Sequence, residues 1–153
     1  MKGYTFKNYD GEHMARAVGM SLPISFKQSV QVSKFIKNRN VSDAKKILQK
    51  VMDKEMAIPH KTYDSGIAHK KKIGPGSYPQ KTSEHFIRLI EATEANAQFK
   101  GLNTSNLVIA HISAHKAAKA WHYGRQSKRK MKRTNIEIVV EEKIVKEKSS
   151  SKG

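Results

Sequence analysis

The chain has 153 residues and carries 30 lysines and arginines against 13 aspartates and glutamates, a formal net charge of +17. A basic excess of this size repels itself in a free chain and is out of keeping with an ordinary enzyme surface, which points to a polyanionic partner, nucleic acid before any other. The lack of cysteine excludes a disulfide framework, a thiolate nucleophile and a cysteine zinc site, and no apolar run reaches the roughly 18 residues of a membrane span.

Tyr4, Phe6 and Tyr9 alternate as in a short strand ahead of the turn signal Asp10-Gly11. A first helix is expected from Ser25, with Ser25 and Gln28 as a capping box, apolar periodicity in Phe26, Val30, Phe35 and Ile36, and an end at 38–40. A second is predicted from Ser42 to about Glu55, with Ala44, Ile47, Leu48, Val51 and Met52 on one face and Pro59 barring continuation. Residues 57–78 hold Pro59, Gly66, Gly74, Pro75 and Gly76 around His69, Lys70, Lys71 and Lys72, and so read as an extended basic loop. Its length favours function over mere connection.

Pro79 suits the start of a third helix, striped by Phe86, Leu89, Ile90, Thr93 and Ala97 and stopped at Gly101. Residues 107–112 then form an outgoing strand, and Ile136, Ile138 and Val140 alternate with Glu137 and Glu141 in the return. Length and a hydrophobic fraction of 37% predict one domain with one modest core over residues 1–142, its hairpin arm at about 107–142. Residues 143–153 are polar and end in KSSSKG, which predicts a frayed tail. The N-terminus lacks the apolar core of a secretory signal, so the chain reads as soluble and intracellular.

No acidic residue occurs between Glu94 and Glu137, yet the segment holds Lys116, Lys119, Arg125, Lys128, Arg129, Lys130, Lys132 and Arg133. Set between two strands, these make a basic hairpin arm, and solvated cations do not bury themselves without partners. Trp121, His122 and Tyr123 interrupt the cations beside Gly124, offering flat faces for unpaired bases or, alternatively, for one another across the hairpin. Lysines at 70–72 with His69, and Lys81 nearby, suit sequence-indifferent phosphate contacts, and Lys27 and Gln28 at a helix N-terminus suit phosphate as well.

His111 and His115 have the spacing of a helical zinc motif, but on a strand their Cα atoms would lie roughly 13 Å apart, too far to ligate one ion directly. No nucleophile elbow, Walker loop, HExxH motif or carboxylate pair occurs, so no metal, cofactor or catalytic residue is expected. Two other functions remain open on these residues. One is an architectural DNA-binding protein with Trp121 or Tyr123 as a minor-groove wedge. The other is a ribonuclease dependent on His115 or His122.

Several ordered segments carry a resemblance: LPISFKQS at 22–29, SGIAHKKK at 65–72, SYPQKTSEHFIRLIEATEANAQFKGL at 77–102, LVIAHISAHKAAK at 107–119 and KRTNIEIVVEE at 132–142. Together they resemble the universal large-subunit ribosomal protein twenty-two family, in its archaeal and eukaryotic branch. The resemblance implies an α+β fold, three helices packed on a small antiparallel sheet with a long protruding basic β-hairpin. It further implies a structural, non-enzymatic protein of the cytoplasmic large subunit that supports assembly. Its partners would be large-subunit rRNA, neighbouring large-subunit proteins and the nascent peptide in the exit tunnel, with no membrane or DNA. On this sequence the tunnel-facing tip would be Ala120, Trp121, His122, Tyr123, Gly124 and Arg125. The segment between Lys116 and Lys132 is shorter than in many relatives, with Trp121-His122-Tyr123 in place of more basic sequence.

Overall fold

The computed structural model describes residues 4–143, so the expected tail lies outside the described residues apart from Lys143. The elements run β1 (Met14–Leu22), α1 (Phe26–Ile36), α2 (Val41–Met52), β2 (Ile58–Pro59), β3 (His69–Lys70), β4 (Gly74–Ser77), α3 (Gln80–Phe99), β5 (Leu107–Lys116) and β6 (Thr134–Glu142). β6 is the centre of an antiparallel sheet in the order β1-β6-β5. The fold is therefore α+β, as expected, with three helices.

One face of the sheet carries the core. Ala15 and Ala17 on β1, Ile136, Ile138 and Val140 on β6, and Leu107, Ile109 and Ile112 on β5 share a buried cluster with Phe86 and Ile90 of α3 and Val32 and Ile36 of α1. Ile109 and Ile112 are three apart, which would put them on opposite faces of a regular strand. A bulge between Ile109 and His111 absorbs the extra residue and returns both to the helices. α3 lies against β1 and α2, and α1 against β5. Small side chains at Ala15 and Ala17 leave room for α3.

The opposite face is covered by the N-terminal segment. The strand expected at Tyr4, Phe6 and Tyr9 does not form; the strand follows it, at Met14–Leu22. Its outward Arg16 guanidinium sits between the Tyr4 and Tyr9 rings, 4.0 and 4.1 Å from their centroids. Phe6 packs on His111 with ring centroids 4.9 Å apart. Glu137, 4% exposed, accepts hydrogen bonds from the Thr5 N–H at 2.9 Å, the Thr5 hydroxyl at 2.7 Å and the Phe6 N–H at 3.2 Å. The aromatic spacing thus serves side-chain packing on a sheet, not backbone pairing within it.

The helices differ from expectation in their details. No side-chain cap forms at Ser25, and the Gln28 amide oxygen instead accepts a hydrogen bond from the Thr82 hydroxyl at 3.2 Å, because α1 crosses α3 there. The buried side of α1 is Ser29, Gln31, Val32, Ser33 and Ile36, while Phe26, Val30 and Phe35 are only half-buried. α2 ends at Met52, ahead of Pro59, where Lys54 adopts φ 62° and the Glu55 N–H turns back to the Lys50 carbonyl. α3 has the expected buried stripe, and its end is a paired turn in which the Gly101 and Leu102 N–H groups bond the Gln98 and Ala97 carbonyls. Gly101 takes φ +81° there, which a side chain would resist.

Residues 57–78, expected as an open loop, instead contain a second small antiparallel sheet in the order β2-β4-β3. Gly76 is buried at its centre, where a Cβ would stand 3.1 Å from Ile73 Cδ1 and 3.5 Å from the Ile58 carbonyl oxygen. Strands of two to four residues leave no alternation for a sequence to display.

Three ionisable groups, the buried His60 and Glu137 and the half-buried His111, make stability fall with acid. Burial holds His60 and His111 below their ordinary value of 6.5, against the Tyr63 backbone hydrogen bond and the Asp64 charge for His60 and against the Glu137 charge for His111. For Glu137 burial pushes upward, but the hydrogen bonds from Thr5 and Phe6 and the nearby His111 together hold it below the ordinary 4.5. In each case the unfolded chain binds protons first, so the contribution is full above the unfolded pKa and is lost as pH falls through the folded one. Urea midpoints should therefore decline below about pH 6.5 and again below about pH 4.5. Glu137→Gln should lower stability at pH 7 and flatten the lower step; an unchanged lower step would contradict this assignment.

Candidate nucleic-acid interface

β5 and β6 continue past the sheet as an arm. The Ala117 N–H bonds the Arg133 carbonyl, the Met131 N–H bonds Ala120, and the His122 N–H bonds Arg129. A short 3-10 turn at Gly124–Gln126, with Gly124 at φ +62°, starts the reversal. Ala120 and Trp121 therefore lie on the outgoing flank, opposite Met131 and Lys130, while Tyr123, Gly124 and Arg125 reach the turn. None of residues 115–133 is buried. A two-stranded ribbon without a hydrophobic face is marginal in water.

What holds the ribbon is sparse. The Lys130 ammonium lies 4.6 Å from the Trp121 ring centroid, and His122 and Tyr123 stack at 4.8 Å. The aromatics do not pack on one another across the hairpin: Trp121 faces Lys130 there, the stacked pair His122–Tyr123 are neighbours on one flank, and Trp121 and Tyr123 stay 60% and 80% exposed. Among the described residues the ion pairs are Lys45 with Glu94 and Arg88 with Glu84, neither on the arm. The arm's cations, Lys116, Lys119, Arg125, Lys128, Arg129, Lys130, Lys132 and Arg133, thus have no carboxylate partner among the described residues.

At the arm's base the cations meet the helical layer. Lys116, Lys119, Lys132 and Arg133 line a cavity of about 380 Å³ with Ser25, Phe26 and Lys27 at the start of α1 and Tyr63 from the 57–78 segment. Gln31 explains how Tyr63 arrives there. This side chain, 2% exposed, donates from its amide nitrogen to the Thr62 carbonyl and hydroxyl, each at 2.6 Å, and accepts from the Lys61 N–H at 3.2 Å. Both N–H donors and one of the two acceptor sites of the buried amide are thereby used, and the loop is fixed to α1. Phe26 and Tyr63 then meet edge to face, with centroids 6.3 Å apart.

The basic surface extends along α1 beyond the residues picked out by sequence. Lys34, Lys37, Arg39 and Lys61 surround a second cavity of about 460 Å³, floored by Phe35 and Pro59. The seven-residue spacing of Lys27 and Lys34 signalled one helix face, whereas Arg39 and Lys61 reach it only through the fold. Acidic side chains gather on α2 and α3 instead, at Asp43, Glu84, Glu91 and Glu94.

Other expected contacts stand apart from this cluster. His69 and Lys70 form β3, Lys71 and Lys72 its turn, and Lys81 lies in the first turn of α3. Lys70 rests 5.2 Å from the Tyr78 ring centroid. Gln28 is engaged with Thr82, which leaves its NH₂ group for any outside acceptor. His111 and His115 both lie on β5, the first under Phe6 and the second 3.0 Å from the Ser113 hydroxyl. Among the described residues no group of three or more histidines and carboxylates is placed to hold a metal ion.

Unpaired cations on an exposed ribbon and its base suit the regularly spaced charge of a phosphate backbone. Comparison with known proteins gives relatives over most of the chain. The family described as ribosomal protein L22p/L17e matches residues 17–141. The chain is similar to the large ribosomal subunit protein uL22 of Thermoplasma acidophilum, 40% identical over 147 residues covering 93% of this chain and 96% of that one. It is likewise similar to uL22 of Archaeoglobus fulgidus, 35% identical over 90% of this chain and 94% of that one. The uL22 protein of Methanoculleus marisnigri is 38% identical over 87% and 92%.

If the arm's base neutralises phosphates, replacing Lys116, Lys119, Lys132 and Arg133 together by Ala should flatten the dependence of log K on log salt for RNA by roughly 3, at about 0.7–0.9 per phosphate. Filter binding across a salt series reads this directly. An unchanged slope would remove these four from the interface.

Proposed function

The chain belongs to the ribosomal protein L22p/L17e family, and on that premise we propose that it is a non-enzymatic structural constituent of the large ribosomal subunit in the cytoplasm. In this reading residues 1–142 are a single RNA-binding domain. The core docks on large-subunit rRNA through Lys27 and the lysines of 69–72 and Lys81, while the arm threads between RNA segments. The tip, at Tyr123, Gly124 and Arg125 with the flanking Ala120, Trp121 and His122, lines the nascent-peptide exit tunnel. Neighbouring large-subunit proteins complete its surroundings.

The observation that carries the proposal is the arm itself, a ribbon with no buried residue and, among the described residues, no carboxylate paired with its cations. Such a ribbon gains order only where phosphate supplies the missing charge, and folded RNA surrounds it with phosphate on several sides. Support of assembly follows, because one rigid core with a long arm bridges RNA segments distant in sequence. An exposed Trp121 or Tyr123 would also suit a wedge in duplex DNA. Competition between large-subunit rRNA and duplex DNA at fixed salt separates the two, and preference for DNA would overturn the proposal.

The direct test is physical association. The endogenous protein should co-sediment stoichiometrically with the large subunit after a moderate salt wash, and a large free pool would contradict the assignment. For the tip, a photo-crosslinking amino acid at position 125 should capture nascent chains on translating ribosomes. The same group at position 81 should capture only RNA or protein of the subunit. Equal nascent-chain capture from both positions would remove the tunnel role.

A further inference from the structure

The cavity at the base of the arm combines two kinds of lining that a backbone contact alone does not need. Phe26 and Tyr63 offer aromatic faces, and Tyr63 is 46% exposed. In the free protein the Lys116 ammonium sits 5.4 Å from the Phe26 ring centroid and the Lys27 ammonium 5.6 Å from that of Tyr63. These cations cover the rings with no carboxylate partner among the described residues, so a phosphate can draw them aside and leave the ring faces open. Lys119 and Arg133 stand across the cavity on the two strands of the arm. At about 380 Å³ it falls within the roughly 300–1,000 Å³ of small-ligand sites.

We propose that this cavity receives one unpaired RNA base, stacked on the face of Tyr63 with Phe26 against its edge, and with the flanking phosphates held by Lys116, Lys119 and Arg133. The inference rests on the RNA-binding reading above and adds a specific pocket to it. A base within a duplex has both faces covered by its neighbours, so only a splayed nucleotide can stack on the ring. Aromatic stacking accepts any base, so the pocket selects single-stranded geometry, not sequence. Gln31 acts as a positioning residue, because its bonds to Lys61 and Thr62 bring Tyr63 against Phe26.

The test uses the full chain with a single-stranded oligouridylate decamer bearing one central 2-aminopurine, whose uridine neighbours stack on it only weakly, and an RNA duplex of the same length as reference. Binding of the decamer should quench the 2-aminopurine fluorescence. Tyr63→Phe should keep the quenching; Tyr63→Leu should abolish it and weaken the single strand roughly tenfold while leaving duplex affinity unchanged. Gln31→Ala should weaken the single strand in the same direction with Tyr63 intact. Thermal melting by circular dichroism confirms that each variant is folded; if Tyr63→Leu is not, Tyr63→Asn, suited to the φ of 59° there, removes the ring instead and should abolish the quenching in the same way.

Failure of the pocket and failure of the broader reading give different results. If wild-type protein binds both RNAs but Tyr63→Leu changes neither affinity nor quenching, the pocket is refuted and the RNA-binding reading stands. If wild-type protein binds neither RNA, both fall. A decaglutamate peptide that competes as well as the decamer and is equally weakened by Tyr63→Leu would also overturn the proposal, since it would assign the cavity to acidic protein segments.

Discussion

Like charge without an internal counter-charge governs the design of this protein. From Lys116 to Arg133 the chain offers eight lysines and arginines, three aromatic rings and otherwise only small or uncharged side chains, and no residue of 115–133 is buried. Each cation near another raises the free energy of the isolated ribbon by Coulomb repulsion, which salt screens and phosphate removes. The core must therefore hold the two ends of the arm without help from the arm itself. β6 does this from the middle of the sheet, hydrogen-bonded on both sides and covered on both faces.

That double covering explains the N-terminal segment. The face of the sheet that turns away from the helices would expose Val139 and leave Glu137 in open water. Thr5 and Phe6 close over it, and three donors meet the Glu137 carboxylate, so the charge is buried with its hydrogen bonds satisfied. The free edge of β5 is paired as well, because the α1–α2 link bonds Ile109 through the Asn38 N–H and the Arg39 carbonyl. A sheet fixed in this way can project its two strands outward while remaining in register.

Legibility in the sequence followed the length and periodicity of each element. α3 could be read because Phe86, Leu89, Ile90, Thr93 and Ala97 repeat over 20 residues and Gly101 closes the turn. The arm could be read from its charge and its flanking strands. β1 could not, since its inward residues Ala15 and Ala17 are small and give no apolar alternation, while Tyr4, Phe6 and Tyr9 imitate one. The inward face of α1 was obscured by Ser29, Gln31 and Ser33, polar residues that are buried because they sit at close contacts with other elements. For the candidate site, the charges were legible but their convergence was not. Tyr63 joins Phe26 only through the buried Gln31, a contact across 31 residues that no local pattern reveals.

The central claim is that external phosphate, not internal packing, orders the arm. Hydrogen–deuterium exchange of the backbone amides in 117–133 measures this most directly, comparing the free protein with the protein in the large subunit. The account predicts fast exchange in the free protein, including at Met131 and His122, and strong protection in the subunit while the core amides of β6 stay slow in both. Protection of 117–133 already complete in the free protein, or unchanged exchange in the subunit, would contradict it.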